Sequence, residues 1–291
     1  MPIPTLLTFL LLTGAMAAVW VHPLLPALLF VAAVAAGLFA GVLHLPALIS
    51  LGLLAGAAWL AAPTTAGRGS RNAALHCVAL AVVIVLALAM AMHKLPGFNN
   101  PLLIDHVQLS ANALPFMQYA NFDKGAVGLI LLAWLCQRVT SWSELGTVLR
   151  RTAPVLVLTV VATLGFALAA GVVGVDFKWP QQTLSFIVVN LLFTVIAEEA
   201  FFRGLLQARL AAALQRFRWG AWLAVAVSAL LFGAAHLGGG LRYAILASIA
   251  GLGYAWAYQR TQRIEAAILV HIVLNTVHFI AFTYPARIDG V

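Results

Sequence analysis

The sequence predicts an all-α fold, a polytopic transmembrane helix bundle of about 8–10 spans, and three observations carry that expectation. Hydrophobic residues fill 64% of the 291 positions and charged residues only 8%, whereas an ordinary soluble domain is roughly 25% charged. Apolar runs of about 20 residues recur along the chain, each long enough to cross a bilayer as a helix. The runs are continuous and rich in Ala, Leu, Val and Gly, unlike the short alternating segments of a transmembrane β-barrel. The same balance excludes intrinsic disorder, which needs low hydrophobicity and dense charge.

Runs bounded by charge, Pro or Gly place candidate spans at residues 3–20, 24–42, 47–62, 73–92, 125–136, 154–175, 184–202, 219–235, 243–258 and 266–282. The first lacks the basic leader of a cleaved signal peptide and is read as a retained span. In the second and third, Gly37 with Gly41 and Gly52 with Gly56 have the small-residue spacing that lets helices approach, so tight packing of these two spans is expected. Residues 95–124 form the longest polar interruption, and Asn99, Asn100, Pro101, Asn112 and Pro115 are turn formers. That stretch reads as an ordered external connector or a loop facing substrate. The fifth candidate is short: an interfacial or re-entrant segment, or a span continuing through Arg138 toward Trp142.

The net charge of +8 arises from 16 Lys and Arg against 8 Asp and Glu. These basic residues sit in short loops, where topology and anionic headgroups account for them, so no nucleic-acid partner is expected. With ten spans, alternate loops hold 11 basic residues (Arg68, Arg71, Arg138, Arg150, Arg151, Arg203, Arg209, Arg216, Arg218, Arg260, Arg263) and 5 (Lys94, Lys124, Lys178, Arg242, Arg287). The positive-inside rule then puts both termini on the non-cytoplasmic side. Cys77 and Cys136 lie inside apolar runs and read as packing residues, without a disulfide or a thiolate metal site. The Ala- and Leu-rich composition points to a bacterial inner (plasma) membrane.

An ionisable side chain inside a span costs about 2.5 to 3.5 kcal/mol on insertion scales, so each one needs a partner or a purpose. Such residues concentrate after residue 184, which divides the chain chemically into residues 1–150, of unassigned role, and residues 151–291. In Ala197-Glu198-Glu199-Ala200-Phe201-Phe202-Arg203, a regular helix aims the two carboxylates about 100° apart. Glu199 and Arg203, spaced i, i+4 with the acid first, suit an ion pair, which leaves Glu198 unpaired, a candidate general base. The alternative is a buried ion-pair cluster that locks helices together. His236 ends Phe232-Gly233-Ala234-Ala235-His236, and a hairpin turning near residues 216–220 would bring it level with the two glutamates. His271 and Asn275 are stacked i, i+4 on the last helix. Singly, His236 suits packing, and His271 with Asn275 suits interhelical hydrogen bonding. Together one Glu, two His and one Asn are the parts needed to activate a water and hold an oxyanion.

The order Glu-Glu-x-x-x-Arg, Phe-x-x-x-His, His-x-x-x-Asn on successive apolar segments resembles the CAAX protease and bacteriocin-processing (Abi) family of intramembrane glutamic-type endopeptidases. The resemblance covers residues 184–282 and implies that residues 151–291 form a catalytic transmembrane domain. It implies that Glu198 and His236 activate water, His271 and Asn275 stabilise the oxyanion, and Glu199 and Arg203 support them. The substrate it implies is a membrane-embedded or lipid-modified peptide, reached from the lipid bilayer. No cofactor is required on this reading. A zinc-dependent rival would use Glu198, His236 and His271 as three ligands with an open water position, although the compact His-Glu-x-x-His arrangement is missing from the sequence. A relay for transport, or a non-catalytic immunity or scaffold protein, are the rivals from other classes.

Overall fold

Helices follow from the long apolar runs, because in lipid every backbone amide and carbonyl must be satisfied within its own segment. The computed structural model describes residues 1–62 and 73–290. Arg68 and Arg71, two members of the basic set above, lie outside the described residues. The helices are α1 (Ile3–Ala18), α2 (Leu25–Phe39), α3 (Leu45–Ala61), α4 (Ala73–Ala91), α5 (Phe122–Trp134), α6 (Trp142–Ala169), α7 (Thr183–Ala213), α8 (Gly220–Ala235), α9 (Leu241–Thr261) and α10 (Ile264–Ala281). Of these, α4, α6, α7 and α10 are long and apolar enough to span a membrane, and α1, α2, α3 and α8 are shorter apolar helices of 10–17 residues. The protein is an all-α polytopic bundle.

The chain divides into two compact units. The first comprises Met1–Pro101, Tyr119–Cys136 and Leu192–Phe201. In it α1 packs on α2, α3 on α4, and α5 is enclosed by α1, α3 and α4. Phe9 sets its edge against Phe122 at 6.2 Å and Phe193 at 5.3 Å. Residues 122–132 of α5 are buried apart from Lys124. At 13 residues, or about 20 Å, α5 is too short to cross a hydrocarbon core of about 30 Å. It is a buried helix rather than a span, and it does not run on toward Trp142, because it ends at Trp134 and a new helix starts after Ser141. Gly128 lets it approach the middle of α7: a Cβ there would lie 3.1 Å from the Ala197 backbone nitrogen.

The expected glycine-mediated packing of the second and third spans takes a different form. Gly37 faces Thr8 of α1 and Leu43, Gly41 lies beyond the end of α2 with φ +70°, and Gly52 and Gly56 face open space. Spacing identifies glycines that share a face but does not say which neighbour that face meets.

The second unit comprises Leu102–Gln118, Gln137–Leu191 and Phe202–Val291. Here α6 packs against α9 and α10, and α9 against α8 and α10. The helix α6 starts twelve residues before the expected span: the Ser141 hydroxyl accepts from the Glu144 amide at 3.1 Å, and the Glu144 carboxylate accepts from the Thr140 amide at 2.8 Å. This reciprocal cap begins the helix in polar sequence that a hydropathy reading leaves as loop. Arg263 Nε donates to Glu144 at 2.6 Å, which ties the α9–α10 turn to the start of α6. Within the connector at residues 95–124, β1 (Leu102–Val107) and β2 (Phe116–Tyr119) form a two-stranded sheet. The turn between them meets the C-terminal segment, with Ala113 bridged to Arg287 and Leu114 N–H donating to the Ala286 carbonyl at 2.9 Å.

Candidate active site

The Glu motif sits where helical regularity fails. Along α7, Leu191–Val195 and Ala200–Gln207 are wound as π-helix around the short α-helical stretch Ile196–Glu199. π-turns are rare and concentrate at functional sites.

Within the first unit, the Glu198 side chain is 17% exposed and its Oε1 lies 3.8 Å from Lys124 Nζ. The expectation of an unpaired Glu198 is thereby corrected: α5 brings it a cation from 74 positions earlier in the sequence. Glu199 is fully buried.

Within the second unit, the turn between α7 and α8 occupies residues 214–219, close to the expected position. The hairpin is in register: the Phe202 and Phe232 rings meet edge to face at 5.1 Å, and Ser228 Oγ donates to the Phe202 carbonyl at 3.1 Å. Arg203 is completely buried. Its Nη2 donates to the Gly251 carbonyl at 2.9 Å, and Gln207 Nε2 donates to the Ala255 carbonyl at 2.9 Å. Gly251 suits this close docking: a Cβ there would lie 3.2 Å from Arg203 Nη2 and 3.1 Å from the Phe232 ring, tighter than ordinary contact.

Phe232, the aromatic residue of the Phe-x-x-x-His motif, is the hub of this unit's polar groups. The Arg203 guanidinium lies 4.6 Å from its ring centroid, the His236 ring 4.5 Å and the His271 ring 5.8 Å. Both imidazoles and the guanidinium thus meet one benzene ring. His236 Nδ1 is 2.7 Å from the Phe232 carbonyl. A carbonyl can only accept, so Nδ1 carries the proton and a neutral His236 presents its lone pair at Nε2. His271, 4% exposed, stacks on Tyr254 with ring centroids 4.3 Å apart and planes 15° apart. One turn further along α10, Asn275 Nδ2 donates to Asn190 Oδ1 at 2.9 Å. That bond uses one of two amide hydrogens and leaves the other for an acceptor.

The structure therefore gathers Arg203, His236 and His271 around Phe232 and sets Asn275 on Asn190. Lys124, Asn190 and Tyr254 were not singled out by the sequence reading. Asn190 could have been noticed as a lone carboxamide in an apolar run, and Lys124 had no local signal at all. Among the described residues no group of three His, Cys, Asp or Glu side chains is placed to hold a metal ion.

Neither the curated proteins nor the solved structures yield a match to the chain. The family model for Rce1-like type II CAAX prenyl endopeptidases matches residues 180–277. That stretch contains Glu198, Glu199, Arg203, His236, His271 and Asn275. In this integral membrane protein the match thus falls on the same stretch whose three motifs resemble the CAAX protease and bacteriocin-processing family.

Proposed function

We propose that the chain is an intramembrane endopeptidase of the glutamic type, acting on a membrane-anchored or lipid-modified peptide in a bacterial inner membrane. The observation that carries the reading is the Phe232 hub, which gives His236 a fixed tautomer and holds His271 against the same ring. Residues 151–291 supply the reacting groups. Glu198, assisted by His236 Nε2, takes a proton from a water whose oxygen attacks the scissile carbonyl carbon. His271 and Asn275 donate to the carbonyl oxygen as it becomes negative. The C–N bond then breaks, and the proton removed from water passes to the departing amine nitrogen. Glu199 and Arg203 support this set, with Arg203 anchored to the Gly251 carbonyl so that the π-wound segment keeps its place.

The test uses the purified full chain in lipid nanodiscs and an internally quenched peptide ending in a farnesylated Cys-aliphatic-aliphatic-X sequence. Wild type cleaves it and Glu198→Gln does not. Asn275→Ala retains residual activity, reduced about 10²- to 10³-fold, the usual cost of one oxyanion donor. Cleavage by Glu198→Gln at the wild-type rate overturns the proposal.

A further inference from the structure

The start of α5 is held by a buried polar clasp. Asp123 is 1% exposed. Its Oδ2 accepts from His93 Nδ1 at 2.6 Å, and its Oδ1 accepts from Asn100 Nδ2 at 3.0 Å and from the Lys124 amide at 2.9 Å. Asn100 Oδ1 in turn accepts from the Phe122 amide at 2.8 Å, which satisfies one free donor of the helix end. Each Asp123 oxygen thus has a partner in the clasp, and the Lys124 ammonium lies 3.8 Å from Glu198 Oε1. A cation in the first turn of a helix opposes the helix dipole, so Lys124 does not stabilise α5 by its position. Its side chain is 20% exposed, within a largely buried helix, where a charge is costly unless a second charge balances it.

We infer that Lys124 is a positioning residue for the proposed general base: clasped in place by Asp123, His93 and Asn100, it holds one oxygen of Glu198 and so fixes the aim of that side chain. The inference rests on the reading of Glu198 as the base. It gives residues 93–124, outside the matched family segment, a role in the reaction. In this role Lys124 acts only through Glu198. The step itself is unchanged: Glu198 accepts the proton of water, and Lys124 keeps its own.

Two measurements on the full chain in nanodiscs test it. With the farnesylated quenched peptide, Lys124→Met lowers kcat about 10²-fold, as a misaimed catalytic group does, with KM little changed, and Lys124→Arg restores most of the loss. Without any substrate, a double-mutant cycle on the thermal midpoint compares Lys124→Met, Glu198→Gln and the double variant, and non-additive losses report the pairing itself. An unchanged kcat in Lys124→Met, or a loss that Lys124→Arg does not restore, overturns the role of Lys124. If Glu198→Gln is fully active while the cycle stays non-additive, the assignment of Glu198 as base fails and the charge pairing stands.

Discussion

At the scale of single residues, Phe232 shows how an apolar side chain governs polar chemistry. Its ring is 3% exposed and in contact with Arg203, His236 and His271. Truncating a buried Phe to Ala costs about 3 to 5 kcal/mol in lost contacts and residual cavity. Phe232→Ala is therefore expected to lower the thermal midpoint in detergent and to abolish cleavage, whereas Phe232→Tyr, which preserves the ring, lowers activity less. A variant with wild-type stability and rate would show that the hub is incidental. Asn190 allows a gentler experiment at the same scale. It accepts from Asn275, so Asn190→Leu should reduce kcat by less than Asn275→Ala, and the double variant should be no slower than Asn275→Ala alone.

At the scale of elements, close helix crossings in the second unit depend on missing side chains. A Cβ on Gly233 would collide with Ser248 of α9, and one on Gly253 with Thr159 of α6. Gly233→Val should destabilise by about 1 to 3 kcal/mol through overpacking, visible as a lowered midpoint. The connector between α6 and α7 makes a separate, pH-dependent contribution. A hydrogen bond from Ser110, followed by Lys178, holds the Asp176 carboxyl below its ordinary value of 3.8. A lowered folded value means that the stabilisation is present above about 3.8 and is lost as pH falls through the lower folded value. The stability difference between wild type and Asp176→Asn should accordingly be seen at neutral pH and fade in acid. A difference independent of pH would contradict it.

Elements also show where a sequence reading loses sight of the fold. All ten expected segments overlap helices, because a continuous apolar run in lipid has few alternatives. Three differ in setting or extent: the fifth, the sixth and the seventh, which runs on to Ala213. Segment 125–136 is buried by protein instead of lipid, and apolar composition looks the same in both surroundings. The sixth extends N-terminally because the Ser141 and Glu144 cap outweighs local polarity. The small sheet of β1 and β2 was unforeseen: its strands are neighbours in sequence but read as turn-rich connector, and the turn between them rests on the distant C-terminal segment.

At the scale of the whole molecule, the charge asymmetry of the loops that follow α5 makes a direct prediction; because α5 does not cross, the ten-span count that put both termini on one side no longer holds, and the prediction concerns the C-terminal end. A reporter active only in the cytoplasm should be silent when fused after Val291 and active when inserted in the turn at residues 214–219, beside Arg216 and Arg218. The reverse pattern would invert the assigned orientation. The helix α6 fits such an orientation: its 28 residues span about 42 Å, more than the bilayer core, so its N-terminal turns with Arg150 and Arg151 can project beyond the hydrocarbon.

The sequence by itself determined the membrane class, the approximate helices and the three motifs, because hydrophobic length and i, i+4 spacing are local properties that backbone geometry enforces. Only the tertiary structure decided which groups meet: Lys124 at Glu198, Asn190 at Asn275, and both imidazoles with a guanidinium on one Phe ring. Those meetings join residues up to 85 positions apart. Helix packing, through the shapes of the facing surfaces, selects such partners, and no periodicity along the chain records that choice.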